Sequence, residues 1–451
     1  MALKNNTWKL NQWYDQDVAG NVSYSTTLNE AWAWGENQYG QLAQNDTTHK
    51  SSPVQIPGTT WSRVGVRGDQ VAGVKTDGTL WTWGRNEYGM LGQNDTTNKS
   101  SPVQLPGTTW SSDWGKLSGP AYALMGAIKT DGTLWIWGYN AKGQLGQNNL
   151  TTYSSPKQVP GTTWNTYSSN YEGSYAIRTD GTLWSWGRNN NGNYTGILGH
   201  NNQTSYSSPK QIPGTWSNNF DIGEYGSMAV NTDGELWGWG AQAERGTLGQ
   251  NEGGGWDRYS SPVQIPGTTW SQTAGQLDIN SEAAIAMKTD GTLWAWGRNE
   301  AGRCGPASPG GNDGFSSPVQ VPGTTWSQVA SGNYNTLAVK TDGTLWVWGS
   351  NKFGAHGRNN VSPSDQVFYS PLQIGSDTDW SECDMSRENS ATKSALKVDG
   401  TLWVWGDNRF GQLGLNTNED SQRYYSSPTQ IPGTWADPIN GHSSCGAAQI
   451  L

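Results

Sequence analysis

Charge is scarce in this chain. Asp, Glu, Lys and Arg together make up 14% of 451 residues, against about a quarter in ordinary globular domains. The formal net charge is -9, and no run of Lys or Arg gathers anywhere. Such a chain lacks the cationic footprint that a phosphate backbone requires, so no direct nucleic-acid partner is expected. Nothing approaches the roughly 18 to 20 apolar residues that cross a bilayer, so no membrane span is expected. The start, Met-Ala-Leu-Lys-Asn-Asn-Thr-Trp, has no charged segment followed by an apolar one, and classical secretion is not expected. Cysteine is reduced to Cys304, Cys383 and Cys445, far apart and without a CxxC pair, which argues against a disulfide framework or a zinc site. His49, His200, His356 and His442 lie in different segments without metal-ligand spacing. There is no arguable Ser-His-Asp set, phosphate loop or Cys-His pair, so no catalytic residue, cofactor site or metal site is expected, and the protein is not expected to be an enzyme.

Tryptophan is what the sequence has in excess, with 28 residues. Sixteen form eight Trp-x-Trp-Gly phrases, at Trp32/Trp34, Trp81/Trp83, Trp135/Trp137, Trp184/Trp186, Trp237/Trp239, Trp294/Trp296, Trp346/Trp348 and Trp403/Trp405, spaced 49 to 57 residues apart. Nine more open the units: Trp8, Trp61, Trp110, Trp164, Trp216, Trp270, Trp326, Trp380 and Trp435. Only Trp13, Trp114 and Trp256 fall outside, so the excess is first of all a building material. A period near fifty marks a propeller, a solenoid or an array. It overrides the roughly three domains that length alone suggests, and 1–451 is expected to be a single domain in which each unit buries its face on its neighbours.

One unit shows how. Trp61-Ser-Arg-Val opens a short strand, Val71 to Thr76 forms a second, and Asp77-Gly78 turns the chain, because Gly tolerates positive φ and Asp bonds its own backbone. Leu80-Trp-Thr-Trp83 returns as a third strand with Trp81 and Trp83 on one face. Ser101-Pro-Val-Gln-Leu-Pro supplies a fourth, and its prolines suit an edge. The fold class is therefore all-β: a β-propeller of four-stranded antiparallel blades with indoles packed between sheets, eight repeats by count, or alternatively seven blades plus an irregular unit. Trp8 and Trp435 both open segments able to complete the first blade, so residues 1–30 are expected to compete with 435–451 for closing the ring.

The run Leu134 to Gly146, Leu-Trp-Ile-Trp-Gly-Tyr-Asn-Ala-Lys-Gly-Gln-Leu-Gly, followed by Ser-Ser-Pro, resembles the regulator of chromosome condensation repeat, and the resemblance covers essentially the whole chain. It implies a β-propeller, usually of seven repeats, where this chain has eight phrases. It also implies two family roles that this sequence does not support. For nucleotide exchange on a small GTPase there is no basic tail and no obvious wedge, and for ultraviolet-B sensing the Gly-Trp-Arg-His-Thr motif is absent.

Seven recurrent aspartates, Asp77, Asp131, Asp180, Asp233, Asp290, Asp342 and Asp399, each precede Gly in a hairpin and read as turn residues rather than acids or metal ligands. Loops such as Gln44-Asn-Asp46 read as Asx turns rather than calcium loops. Loop length is more telling. From the Gly-x-Leu-Gly element to the next strand proline the first four units need ten residues each, and the last four need 13, 13, 14 and 14. The longer loops carry Trp256, Arg258, Asn312, Asp313, Asp365, Asp420 and Arg423, a mixture suited to recognition, and these are the expected partner-binding residues. Tyr153, Tyr206, Tyr259, Phe315, Phe368 and Tyr425 recur three residues before the proline and read as packing residues.

A weakly charged, Asn- and Thr-rich surface and an opening that resembles bacteriophage structural proteins lead to the expected function. It is a non-enzymatic structural or interaction propeller on a virion, decorating a capsid or tail or contacting a host, with other virion proteins or a host surface molecule as partners. The alternative is an intracellular, cytoplasmic scaffold for protein-protein interaction.

Overall fold

The computed structural model describes residues 30–113, 117–118, 124–170, 173–191, 194–241, 246–251, 258–280, 283–307, 314–359, 366–385, 392–418, 421–436, 439–440 and 444–450. The Asp-Gly hairpin sets the geometry of each unit. Around Asp77-Gly78 the two strands pair from Gln70↔Gly84 to Val74↔Leu80. Gly78 takes φ 76°, open to Gly at no steric cost, and the Asp77 carboxylate accepts from the Thr79 amide at 2.9 Å. The fourth strand, Lys99–Gln104, pairs with the third on the outer edge, where Pro102 costs no ladder bond.

Seven such blades, each of four strands in chain order, span 61–104, 117–158, 164–212, 216–264, 277–320, 326–373 and 380–431, the third interrupted by a small hairpin of Asn190–Asn191 with Tyr194–Thr195. One further four-stranded sheet is composite. Glu30–Gly35 pairs with Lys50–Gln55 on one side and with Ser444–Ile450 on the other, and Ile439–Asn440 completes it. The propeller thus has seven consecutive blades, as in the alternative count, and the remaining phrase, Trp32/Trp34, sits in the composite sheet. The C-terminal strand closes that sheet in the register Glu30↔Ile450 to Gly35↔Ser444. The competing N-terminal segment, residues 1–29, lies outside the described residues.

The core lies in the seams between sheets rather than inside any one of them. Each buried cluster mixes two neighbours: Val71 and Trp83 of the 61–104 blade pack with Ala31, Ala33 and Ile56 of the composite sheet, and Leu396 and Leu413 of the 380–431 blade meet Trp34 and Trp435. Trp34, Trp83, Trp137, Trp186, Trp239, Trp296, Trp348 and Trp405, the second indole of every phrase, are at most 1% exposed. Burying one such side chain contributes about 4 to 6 kcal/mol before conformational entropy, from roughly 150 to 250 Å² at about 25 cal/mol per Å². That is how a chain with 33% hydrophobic residues fills its interior.

The same indoles fasten each sheet to the one before it. Nε1 of Trp83 donates to the Gln41 carbonyl at 2.9 Å, Trp137 to Met90, Trp186 to Gln144, Trp296 to Thr247, Trp348 to Arg303, Trp405 to Ala355, and Trp34 to Gln412 at 3.0 Å. At the Trp239 seam the Tyr175 hydroxyl instead takes the equivalent carbonyl, that of Ile197. A backbone latch runs alongside: the Asn94 amide donates to the Ser154 carbonyl at 2.6 Å, and Asn416 to Ser51 at 2.6 Å across the composite sheet. The loop lies so close there that a Cβ on Gly89 would stand 2.4 Å from the Ser154 side chain, so only glycine fits.

Candidate functional site

Two rims frame the ring. The hairpin turns and Gly-Thr-Thr segments make a lower rim, and the loops joining third to fourth strands make an upper one. On the lower rim, six blades repeat a relay in which a Trp donates to a Thr and the Thr to an Asp. In the 61–104 blade Trp81 Nε1 donates to Thr79 Oγ1 at 2.9 Å, and Thr79 Oγ1 to Asp77 Oδ1 at 2.6 Å; the trios ending at Trp135, Trp184, Trp294, Trp346 and Trp403 are the same. A cation lies over both outer indoles of each of these blades: Lys75 over Trp61 and Trp81 at 5.0 and 4.3 Å, and likewise Lys129, Arg178, Lys288, Lys340 and Lys397. Hydrogen bonds from Thr hold Asp77, Asp131, Asp180, Asp290, Asp342 and Asp399 below the usual carboxylate range. In the 216–264 blade Asn231 replaces the cation and Glu235 the Thr, and the two bond to each other at 2.8 Å. The lower rim therefore spends its polar groups on its own turns.

The upper rim has an organiser that sequence reading passed over. Two residues after the Gly of seven phrases stands an Asn: Asn37, Asn86, Asn140, Asn189, Asn299, Asn351 and Asn408, all fully buried. Asn86 Nδ2 donates to the carbonyls of Asp95 and Thr97, and its Oδ1 accepts from the Leu91 amide at 2.9 Å, so one side chain folds the whole loop. The signal was in the recurring Gly-x-Asn spacing. The Gln-Asn-Asp segments are Asx turns as expected: Asp46 accepts from the Thr48 amide at 3.0 Å and from Lys50 at 2.8 Å.

Buried ionisable groups mark where the loop pattern breaks. Cys304, 1% exposed, fills the leucine slot with its thiol pushed up to about 12 by burial. His356 fills the same slot in the 326–373 blade; its Nε2 bonds to the Gly349 carbonyl at 3.1 Å, and burial pushes its pKa down to about 4. His200 Nε2 bonds to Ser185 Oγ at 2.9 Å and is also depressed to about 4 by burial. Lys393, 1% exposed in the adjoining 380–431 blade, is depressed to about 7 by burial, against the pull of Asp384. Among the described residues no group of three His, Cys, Asp or Glu side chains could hold a metal ion, and no helix is long and apolar enough to cross a membrane.

Of the expected partner-binding residues, Trp256, Asn312, Asp313, Asp365 and Asp420 lie outside the described residues. Arg258 begins an outer strand, paired in register with Ala241, and is exposed. Arg423 is exposed on the upper rim, and its carbonyl accepts from the Asn408 amide at 2.7 Å. Arg423 belongs to a cluster that sequence reading did not find. Its guanidinium lies 5.7 Å from the Phe353 ring of the preceding blade, with that of Arg409 at 5.4 Å and the Lys352 ammonium at 5.4 Å. Arg409 is fixed by Asp407, which is wholly buried and accepts from Nε at 2.9 Å and from Nη2 at 2.7 Å. Phe353 itself takes φ 58°, ψ 27°, a left-handed conformation that costs a bulky residue about 1 to 3 kcal/mol. The recurring packing aromatics behave as expected, with Tyr153, Tyr206, Tyr259, Phe315 and Tyr425 partly buried against seam clusters and Phe368 4.9 Å from His356.

Comparison with known proteins accords with this geometry. The model of the regulator of chromosome condensation (RCC1) repeat matches residues 29–64, 77–111, 131–166, 290–339 and 399–447, and a second model of that repeat matches 326–355. The RCC1 domain-containing protein RUG3, mitochondrial, of Arabidopsis thaliana is 27% identical over 304 residues, 64% of each chain. The Ultraviolet-B receptor UVR8 of the same plant is 26% identical over 306 residues, 65% of this chain and 64% of the receptor. The chain thus spans less than two thirds of the length of these relatives. Among solved structures, Prp20p of Saccharomyces cerevisiae, described with its binding properties to Gsp1p and histones, superposes with a TM-score of 0.63 at 14% identity, covering 96% of this chain and 94% of that one. Human WBSCR16 superposes with a TM-score of 0.59 at 17% identity, covering 94% and 99%. At those identities the likeness concerns the fold. The chain carries regulator of chromosome condensation repeats folded into an RCC1-like β-propeller.

Proposed function

We propose that this protein is a non-enzymatic scaffold for protein-protein interaction and that it binds through the long-loop half of its upper rim. The observation that carries the reading is the difference in how the two rims use their side chains. Below, a six-fold repetition of Asp, Thr, Trp and cation satisfies itself. Above, departures from the repeat gather in the loops of 13 and 14 residues, and variation concentrated in surface loops on a rigid frame is where binding surfaces arise. The relatives point the same way, since Prp20p is described by its binding to Gsp1p and histones. A place in a virion, expected from the composition and the opening residues, finds no support in relatives from plant and animal cells, and the scaffold reading takes precedence over it. Ultraviolet-B reception stays with the relative whose name carries it.

The test is affinity capture with the full chain and with a variant whose loops between Gly249 and Pro262 and between Gly414 and Pro428 are cut to the ten-residue length of the first four units. Partners retained by the intact protein and lost by the variant, at an unchanged thermal midpoint, are the expected outcome. Equal recovery of partners by both proteins would reject the upper rim as the binding face.

A further inference from the structure

The geometry points to a specific docking site on that rim: we propose that Phe353, with Lys352, Arg409 and Arg423, receives an acidic peptide segment of a partner protein, its carboxylates on the cations and an apolar side chain on the ring. The inference rests on the scaffold reading and gives it a place and a chemistry.

Three features carry it. First, the site straddles a seam: Phe353 and Lys352 belong to the 326–373 blade, Arg409 and Arg423 to the 380–431 blade, and these two blades own the two 14-residue loops. Second, it departs from its equivalents. Tyr39 occupies the place of Phe353 in the composite sheet and meets one guanidinium, that of Arg85, which bonds to both Asp69 and Glu87. Phe353 gathers three cations in a chain of net charge -9, and its left-handed backbone is shared by none of Tyr39, Tyr88 and Phe410 in the corresponding loops. Strained residues that persist are held by their surroundings and cluster at ligand sites. Third, the cations are preorganised. Asp407 holds the Arg409 plane from within the fold, and the Asn408 amide ties the backbone of Arg423 beside it. A fixed guanidinium loses little freedom on meeting a carboxylate, while the half-buried ring supplies apolar contact.

The experiment uses the full chain and a fluorescent decapeptide of alternating Glu and Leu, with the Lys-Leu peptide as control, followed by anisotropy at low and high salt. The Glu peptide binds, the Lys peptide does not, and affinity falls as salt screens the contact. The double variant Lys352→Glu, Arg423→Glu, both exposed positions, weakens binding by at least about tenfold, and Phe353→Ala weakens it by about fivefold. Equal binding of the two peptides, or binding indifferent to the charge reversal, overturns the proposal, as does a single-stranded oligonucleotide bound more tightly than the Glu peptide. The two readings fail separately. A peptide response to charge reversal with no partner lost on loop shortening keeps this site and removes the scaffold face; partners lost on loop shortening with no peptide response does the opposite.

Discussion

The lower and upper rims are built from the same repeats and yet use them differently. Below, every element of the six-fold relay points inward to another element: Asp77 to Thr79, Thr79 to Trp81, Lys75 to two indoles. Above, the repeat supplies only a frame, the buried Asn and the seam latch, and leaves loop length and sequence free to change. The lower-rim carboxylates and indole N–H groups are thus taken up by the turns themselves. This difference teaches that in a repeat protein the informative residues are those that break the phrase. It also predicts that substitutions below cost stability and those above cost binding.

The largest effect is expected where both rims depend on the same residue. Trp405→Ala removes an indole that is 0% exposed, along with its bond to the Ala355 carbonyl, and should cost about 3 to 5 kcal/mol, read by denaturant unfolding. A much smaller loss would mean that the seams are not where the ring is held.

On the lower rim Thr79→Val takes the acceptor from Trp81 Nε1 and the donor from Asp77. A loss of about 1 to 2 kcal/mol is expected with partner capture unchanged. Capture lost without a stability change would reverse the roles assigned to the two rims.

The seam between the two blades with 14-residue loops carries a stability cost of its own, because Lys393 stands where Thr336 and Ser174 stand in other blades. Burial holds its folded pKa at about 7, below the ordinary lysine value of 10.5. Between those values the unfolded chain binds more protons, so stability rises with pH across that window. His356, about 4 when folded against 6.5, adds a second rise between those values, and its contribution is lost as pH falls toward 4. Lys393→Met should raise the thermal midpoint at pH 7 and abolish the upper rise, as followed by thermal melts across pH. A lower midpoint would show the lysine to be a needed partner in the seam.

Much of this was legible in the sequence because the repeat carries the geometry. Asp-Gly fixed the hairpins, alternation placed Trp81 and Trp83 toward one seam, and the segment after Trp435 supplied the strand that pairs with Glu30–Gly35. The upper-rim cluster was not legible. Phe353 occupies the aromatic place of Tyr39, and nothing in Lys-Phe-Gly announces a left-handed backbone or predicts that Arg409 and Arg423, fourteen residues apart and in the next unit, converge on its ring. Contacts across a seam depend on how one unit is rotated against the next, and a single unit does not encode that. The inward Asn escaped notice for another reason: its burial and its bonds exist only once the loop has closed over it.

The smallest stability effect belongs to the upper rim, and measuring it together with binding tests the central claim most directly. With the loops between Gly249 and Pro262 and between Gly414 and Pro428 shortened, thermal midpoint and partner capture would be recorded on the same preparation. A midpoint within about 2 °C of the parent with partners lost is the expected result. Partners retained together with a midpoint several degrees lower would contradict it, and would make these loops part of the frame rather than the binding face.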